Sequence, residues 1–292
     1  MFSCSREDTK NLHYRKKVSI LFLLTVAFFS VYAAVASSSP NPRIPHSQAT
    51  AITFGSTTAG VIATPGEADS FTFSAENGDA LLVGISQVSG DLWPKIRLYD
   101  PDGQLIADAQ SSIHAEIYRV IQPPFKQYLP FATNDGIGSP PEPTAPGSEK
   151  SLIVTTPGEY TILVSDGFNG TYTGSYSLYL QKLNPPVGAT SIAFGQTLSG
   201  AITYAAEMGA FTFQTVGSER VIISLSNVSG DIWPEVRLYD PEGILLDTQS
   251  DPVHSEIEFD IPREGNYTLL ISDGFRGTYA GSYSLFLQLS LI

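Results

Sequence analysis

Ser89-Gly-Asp-Leu-Trp-Pro-Lys-Ile-Arg-Leu-Tyr-Asp-Pro-Asp-Gly103 returns 140 residues later as Ser229-Gly-Asp-Ile-Trp-Pro-Glu-Val-Arg-Leu-Tyr-Asp-Pro-Glu-Gly243, identical at 11 of 15 positions. The same offset aligns residues 49–119 with 189–259. Farther on, the segment Ser165 to Leu178 matches Ser272 to Leu285 at 12 of 14 positions, now 107 residues apart. The 33-residue change of offset places an insertion in the first copy, at about 120–152, and its Pro- and Gly-rich composition reads as an excursion loop. The period is far above the roughly 20–50 residues of solenoid repeats, so each copy is a whole domain.

Inside each copy the apolar period is two. Phe71 and Phe73 flank Thr72 as Phe211 and Phe213 flank Thr212; Leu81, Val83 and Ile85 match Val221, Ile223 and Leu225. Ile96 and Leu98 alternate with Lys95, Arg97 and Tyr99. Short alternating runs bounded by Gly, Asp and Pro predict half-buried antiparallel strands, and no exported window carries an apolar stripe of helical period. Six to eight strands in roughly 100 residues require two packed sheets. The predicted fold is therefore all-β: two tandem antiparallel β-sandwiches, residues 49–183 and 187–292. The short Pro-rich joint from Lys182 to Val187 is expected to space them semi-rigidly.

Ahead of them, Arg15, Lys16 and Lys17 precede an uncharged run from Val18 to Ala36 that ends Ala34-Val35-Ala36. This is the form of a secretory signal, long enough to serve instead as a signal-anchor helix, and 37–48 is a linker. Either way the remainder is expected to be exported, secreted or held at the cell surface, with membrane contact only through an uncleaved N-terminal segment. The whole chain of 292 residues carries a net charge of −13 and a single cysteine, Cys4. Such an acidic balance excludes phosphate-backbone binding, so no nucleic acid is expected as partner. One cysteine excludes a disulfide scaffold and a multi-thiolate metal site.

The order Phe-x-Phe, a polar turn, Leu-Tyr-Asp-Pro-x-Gly, then Gly-x-Tyr-Thr-(Ile/Leu)-Leu and Gly-Ser-Tyr-Ser-Leu-x-Leu-Gln, twice over, resembles the bacterial and archaeal pre-peptidase C-terminal domain. The resemblance implies a small jelly-roll-like sandwich, non-catalytic, found on secreted enzymes or surface proteins, some relatives binding collagen or polysaccharide and some calcium. No peptidase domain accompanies it in this sequence.

Several residues are candidates for chemistry. Asp100-Pro-Asp-Gly103 and Asp240-Pro-Glu-Gly243 suit type I turns. Asp91, Asp166, Asp231 and Asp273 lie in Gly-rich segments able to offer carboxylates and carbonyls, and calcium is the cofactor they would take; the alternative is that they cap turns. His114 and Glu116, like His254 and Glu256, share a strand face and read as surface pairs. Trp93, Arg97 and Tyr99, and likewise Trp233, Arg237 and Tyr239, share parity: an outward row that binds a sugar or protein, a Trp lid on the open end of the sandwich, or two rows buried against each other. Asn169, Asn227 and Asn266 head glycosylation triplets, usable if the source organism glycosylates. No His-Glu-x-x-His, Gly-x-Ser-x-Gly or phosphate loop is present. The expected function is an exported, non-catalytic tandem module that binds polysaccharide or protein. The alternatives are a structural envelope protein and a secreted hydrolase or protease-accessory subunit.

Overall fold

A computed structural model describes residues 49–120 and 156–290. The signal or anchor segment and the bulk of the insertion lie outside the described residues. Among those described there are strands and turns but no helix. The first half runs β1 (Thr50–Ala51), β2 (Ser56–Ile62), β3 (Ala68–Ala75), β4 (Ala80–Gly90), β5 (Pro94–Tyr99), β6 (Leu105–Gln110), β7 (His114–Val120), β8 (Gly158–Asp166) and β9 (Gly174–Lys182). The second half runs β10 (Thr190–Ser191), β11 (Gln196–Ile202), β12 (Gly209–Val216), β13 (Arg220–Gly230), β14 (Pro234–Tyr239), β15 (Leu245–Ser250), β16 (His254–Asp260), β17 (Glu264–Asp273) and β18 (Gly281–Leu289).

The strand orders repeat. A five-stranded sheet β1-β3-β8-β5-β6 and a four-stranded sheet β2-β9-β4-β7 form the first half; β10-β12-β17-β14-β15 and β11-β18-β13-β16 form the second. Register shifts also recur, between Gln87 and Ser89 and between Asn227 and Ser229. The alternation sets what is buried: Phe71, Phe73, Ile96, Leu98, Ile162 and Val164 from one sheet meet Leu81, Val83, Ile85, Leu178 and Leu180 from the other. Equivalent residues fill the second core. Each fully buried Leu, Ile or Phe contributes roughly 1.5–3 kcal/mol, so two such cores sustain a chain without disulfides in its described part. Gly60 is required where it stands, because a Cβ there would overlap the Tyr176 ring; Gly200 does the same for Tyr283.

The sheets are not wholly antiparallel. β1 pairs parallel to β3, and β10 to β12, over two residues each. The chain adds this stub at the sheet edge and crosses at once to the other sheet through β2 or β11, which a hairpin cannot do. Among the described residues these stubs also raise the count to nine strands per half.

The joint does not act as a spacer. The described residues of both halves fall in one compact unit, and a third apolar core lies between the halves. Ala80, Leu82, Tyr179 and Leu183 of the first half pack on Ala206, Met208, Tyr239 and Leu270 of the second. Asn184, which precedes Pro185 in a cis peptide, accepts from Ala80 N at 2.7 Å, and Thr268 Oγ1 donates to Leu183 O at 2.9 Å. The contact is of unlike faces: the outer side of the first four-stranded sheet against the outer side of the second five-stranded sheet.

Candidate functional site

At the end of each half, a loop joins the last two long strands: Gly167–Thr173 between β8 and β9, and Gly274–Ala280 between β17 and β18. Both carry the Gly-Phe-x-Gly-Thr-Tyr core of the repeated motif. The buried carboxylate at the loop entrance organises it. Asp166 Oδ1 accepts from Trp93 N at 3.2 Å, and its Oδ2 accepts from Thr171 N at 2.9 Å and Tyr172 N at 3.2 Å. Asp273 does the same with Trp233 N at 3.0 Å and with Thr278 N and Tyr279 N, each at 3.1 Å. Gly167 N and Gly274 N then donate to the Trp93 and Trp233 carbonyls at 2.7 and 2.8 Å.

This strapping aligns three rings in each half. Trp93 stacks on Phe168 at 5.6 Å and 27°, and Phe168 on Tyr172 at 5.3 Å and 11°. Trp233 stacks on Phe275 at 5.0 Å and 6°, and Phe275 on Tyr279 at 5.9 Å and 4°. The Arg276 guanidinium lies 4.9 Å from the Phe275 centroid. The central rings remain in water: Phe168 is 45% exposed and Phe275 46%. An ordered, solvent-facing aromatic stack offers apolar surface at little entropic cost, and its hydroxyl and indole edges add hydrogen bonds. Phe168, Tyr172, Phe275 and Tyr279 are not among the residues singled out from the sequence; the signal that could have found them is that both aromatic positions recur in the two copies of the motif.

The row expected from parity keeps its alternation but not its surroundings. Trp93 and Trp233 are half-buried, as Arg97 and Arg237 are, between the buried Leu92 and Pro94 or Ile232 and Pro234, but they stand just ahead of the strands, against the Gly167 and Gly274 loops. Of the row, Arg97 and Tyr99 stay together on the outer face of β5, where Arg97 Nη2 donates to Ser165 Oγ at 3.1 Å. In the second half Arg237 and Tyr239 are covered by the first half, but against its four-stranded sheet rather than row against row. Arg237 Nη1 and Nη2 donate to the two Glu116 oxygens at 2.8 and 3.2 Å, and Nη2 reaches Glu235 Oε2 at 2.6 Å. Burial opposes ionisation of Glu116, yet the Arg237 charge and the bonds from His114 and Arg237 outweigh it and hold its carboxyl at about 2.

The His–Glu pairs diverge too. His114 Nε2 sits 3.0 Å from Glu116 Oε1, and Ser86 Oγ 2.6 Å from His114 Nδ1. A Ser–His–Glu chain has the contacts of nucleophile, base and orienter. Ser86, however, has no exposed surface, and Gly277 of the other half lies directly over it and the imidazole. The expected surface pair is thus an interface pair here. His254 and Glu256, 3.6 Å apart, are the surface pair.

The aspartates do not assemble as an ion cage. Asp166 and Asp273 spend their oxygens on backbone N–H groups, which a calcium ligand cannot do with the same lone pairs. Asp91 and Asp231 are exposed beyond Gly90 and Gly230. Among the described residues no group of three or more His, Cys, Asp or Glu stands close enough to hold a metal. Asn169 sits at a loop tip with φ of 62°; Asn227 Nδ2 donates to Ile232 O at 3.0 Å; Asn266 lies in β17 opposite Gln214. Asp100 and Asp240 hold the turns read from their motifs, accepting from Gln104 N and Ile244 N at 2.7 and 2.8 Å. An open groove of about 500 Å³ lies where the halves meet, lined by Val61, Val88 and Tyr204 among others.

Fold and site together define an all-β, sandwich-like protein with two strapped aromatic stacks. No family model matches the chain, and no curated protein matches it. Solved structures do. The pre-peptidase C-terminal domain of a collagenase from Bacillus anthracis matches at 22% identity and TM-score 0.31, over 36% of this chain and 99% of that one. The extracellular region of zebrafish Gpr126/Adgrg6 matches at 5% identity and TM-score 0.23, over 84% of this chain and 37% of that one. The M60 catalytic domain of ZmpB with its CBM51 domains, from Clostridium perfringens, matches at 8% identity and TM-score 0.19, over 76% and 33%.

Proposed function

We propose that this chain is an exported, non-catalytic pair of jelly-roll-like sandwich modules, tandem copies of a pre-peptidase C-terminal-like domain, that binds a polymer at or beyond the cell surface. Polysaccharide is the ligand class its aromatic stacks fit best. The carrying observation is the duplicated, half-exposed Trp–Phe–Tyr stack on a loop whose backbone is fixed by a buried aspartate. Flat rings held in place pack against the apolar faces of pyranose rings, and the Trp, Tyr and Arg276 donors reach hydroxyl groups beside them. Two such sites in one compact unit act together on a repeating ligand, so each alone need bind only weakly. The buried Ser86 and the committed aspartates support a role without catalysis. The N-terminal signal-like segment supports export.

The test is retention of the full chain on insoluble polysaccharides, collagen and cell-wall material. With each stack ring contributing about 1 kcal/mol, Phe168→Ala or Phe275→Ala is expected to weaken retention roughly fivefold, and the double variant to abolish it. Failure of the wild type to bind any polysaccharide or protein polymer, or binding unchanged in the double variant, overturns the reading.

A further inference from the structure

We propose that a second copy of this chain docks head to tail, its first-half β5–β8 face seated on the second-half β13–β16 face of its neighbour, as the two halves already sit within one chain. The internal contact joins two different surfaces, so it is heterologous. Both surfaces recur by duplication, and the chain uses only one of each. Arg97 and Ser165 correspond to Arg237 and Ser272, and Tyr99 and Leu163 to Tyr239 and Leu270. On the other surface Ser226, His254 and Glu256 correspond to Ser86, His114 and Glu116.

The spare surfaces retain the polar part of that chemistry, while Arg220, Ser224 and Glu258 stand where the covered face has Ala80, Gly84 and Tyr118. Ser226 Oγ is 2.9 Å from His254 Nδ1, reproducing the Ser86–His114 contact, and Ser224 Oγ donates to Glu256 at 2.9 Å. Glu256 occupies the strand position from which Glu116 receives Arg237, but its side chain is 51% exposed against 23% for Glu116. On the opposite surface the Nε of Arg97 is buried with no hydrogen-bond partner among the described residues. An arginine fork of this kind donates bidentately to a carboxylate. Charge favours the match further. Lys95, 3.8 Å from Asp108, stands where the internal contact has Glu235, so a lysine and an arginine present themselves to a face on which Glu256 has no arginine partner among the described residues while Glu258 is held by Arg220 at 2.7 Å. Ile222 and Phe286 occupy the positions of Leu82 and Tyr179 and supply the apolar part.

A heterologous contact whose repetition does not close propagates as a linear array. Without the covalent joint that raises the effective concentration of the internal contact, the contact between chains is weaker and appears only as concentration rises.

Sedimentation of the full chain between about 1 μM and about 1 mM, a span covering weak to moderate association, tests this. The wild type is expected to gain weight-average mass progressively beyond a dimer. Arg97→Glu and Glu256→Arg are each expected to remain monomeric, and an equimolar mixture of the two to associate again, since each supplies the surface the other lacks. Glu256 is exposed, so its reversal leaves the fold intact, and circular dichroism checks both variants. A wild type that stays monomeric throughout, association that survives either reversal, or a monomer that assembles only when residues 121–152 are deleted overturns the proposal. The last result would give the β5–β8 face to the chain's own insertion.

Discussion

His114–Glu116 on β7 and His254–Glu256 on β16 are the same pair at the same place in two halves that share sequence and topology, yet their surroundings differ completely. The first pair is covered by the other half, clamped by Arg237 at 2.8 Å and roofed by Gly277. The second stands in solvent, its side chains 47% and 51% exposed. Local sequence made two equal motifs, and packing of one half on the other made one of them structural. A buried pair loses far more than its Coulombic attraction when one partner is removed, because the survivor stays desolvated.

The sharpest way to break this comparison is truncation. Glu116→Ala leaves Arg237 buried beside Glu235 alone and is expected to destabilise the chain by about 3–5 kcal/mol. Glu256→Ala is expected to cost about 0–1 kcal/mol, as exposed pairs do. Denaturant unfolding of both variants checks this, and equal losses would contradict the assignment of the interface.

Acid sharpens it further. Glu116 has its folded pKa lowered from 4.5 to about 2. The unfolded chain therefore takes up a proton first as pH falls, so the stabilisation is complete above about 5 and is lost towards 2. With the side chain about a quarter exposed, the loss attributable to Glu116 is about 2–3 kcal/mol. Glu116→Gln should flatten that part of the stability–pH curve, as read by thermal melts at fixed ionic strength.

The smallest contrast uses two glycines. Gly170 and Gly277 occupy equivalent left-handed positions, with φ of 67° and 62°. Gly170→Ala carries the conformational cost alone, about 1 kcal/mol. Gly277→Ala adds overlap with His114 and Ser86 and should cost about 2 kcal/mol, with a change in Trp233 fluorescence.

The fold was largely legible because repetition and a period of two are local properties. The turn role of Asp100 and Asp240 was legible for the same reason. The interface was not, because which face meets which is decided by residues far apart. Its trace was present nonetheless in the differences between copies: the covered face has Ala80, Gly84 and Tyr118 where the uncovered one has Arg220, Ser224 and Glu258. Parity placed Trp93, Arg97 and Tyr99 on one face, as the alternation of burial shows, but not that the equivalent Arg237 and Tyr239 would be covered by the other half's four-stranded sheet. That Asp166 and Asp273 cap their loops was the alternative open in the sequence, and only their backbone donors make it visible.

The rims of these sheets bear on how such a molecule behaves when crowded. β1 and β10 offer a foreign strand only two paired residues each. Asp108 sits on β6, Asp247 on β15, and Glu256, Glu258 and Asp260 on β16, so acid lines the opposite borders. Short or charged borders resist the strand-by-strand zippering that leads to fibrous precipitates, whereas β2 and β11, seven residues each and uncharged, are borders without that protection. When the protein is concentrated, edge-to-edge pairing is therefore expected to begin along β2 and β11, not at the stubs or the acidic hems.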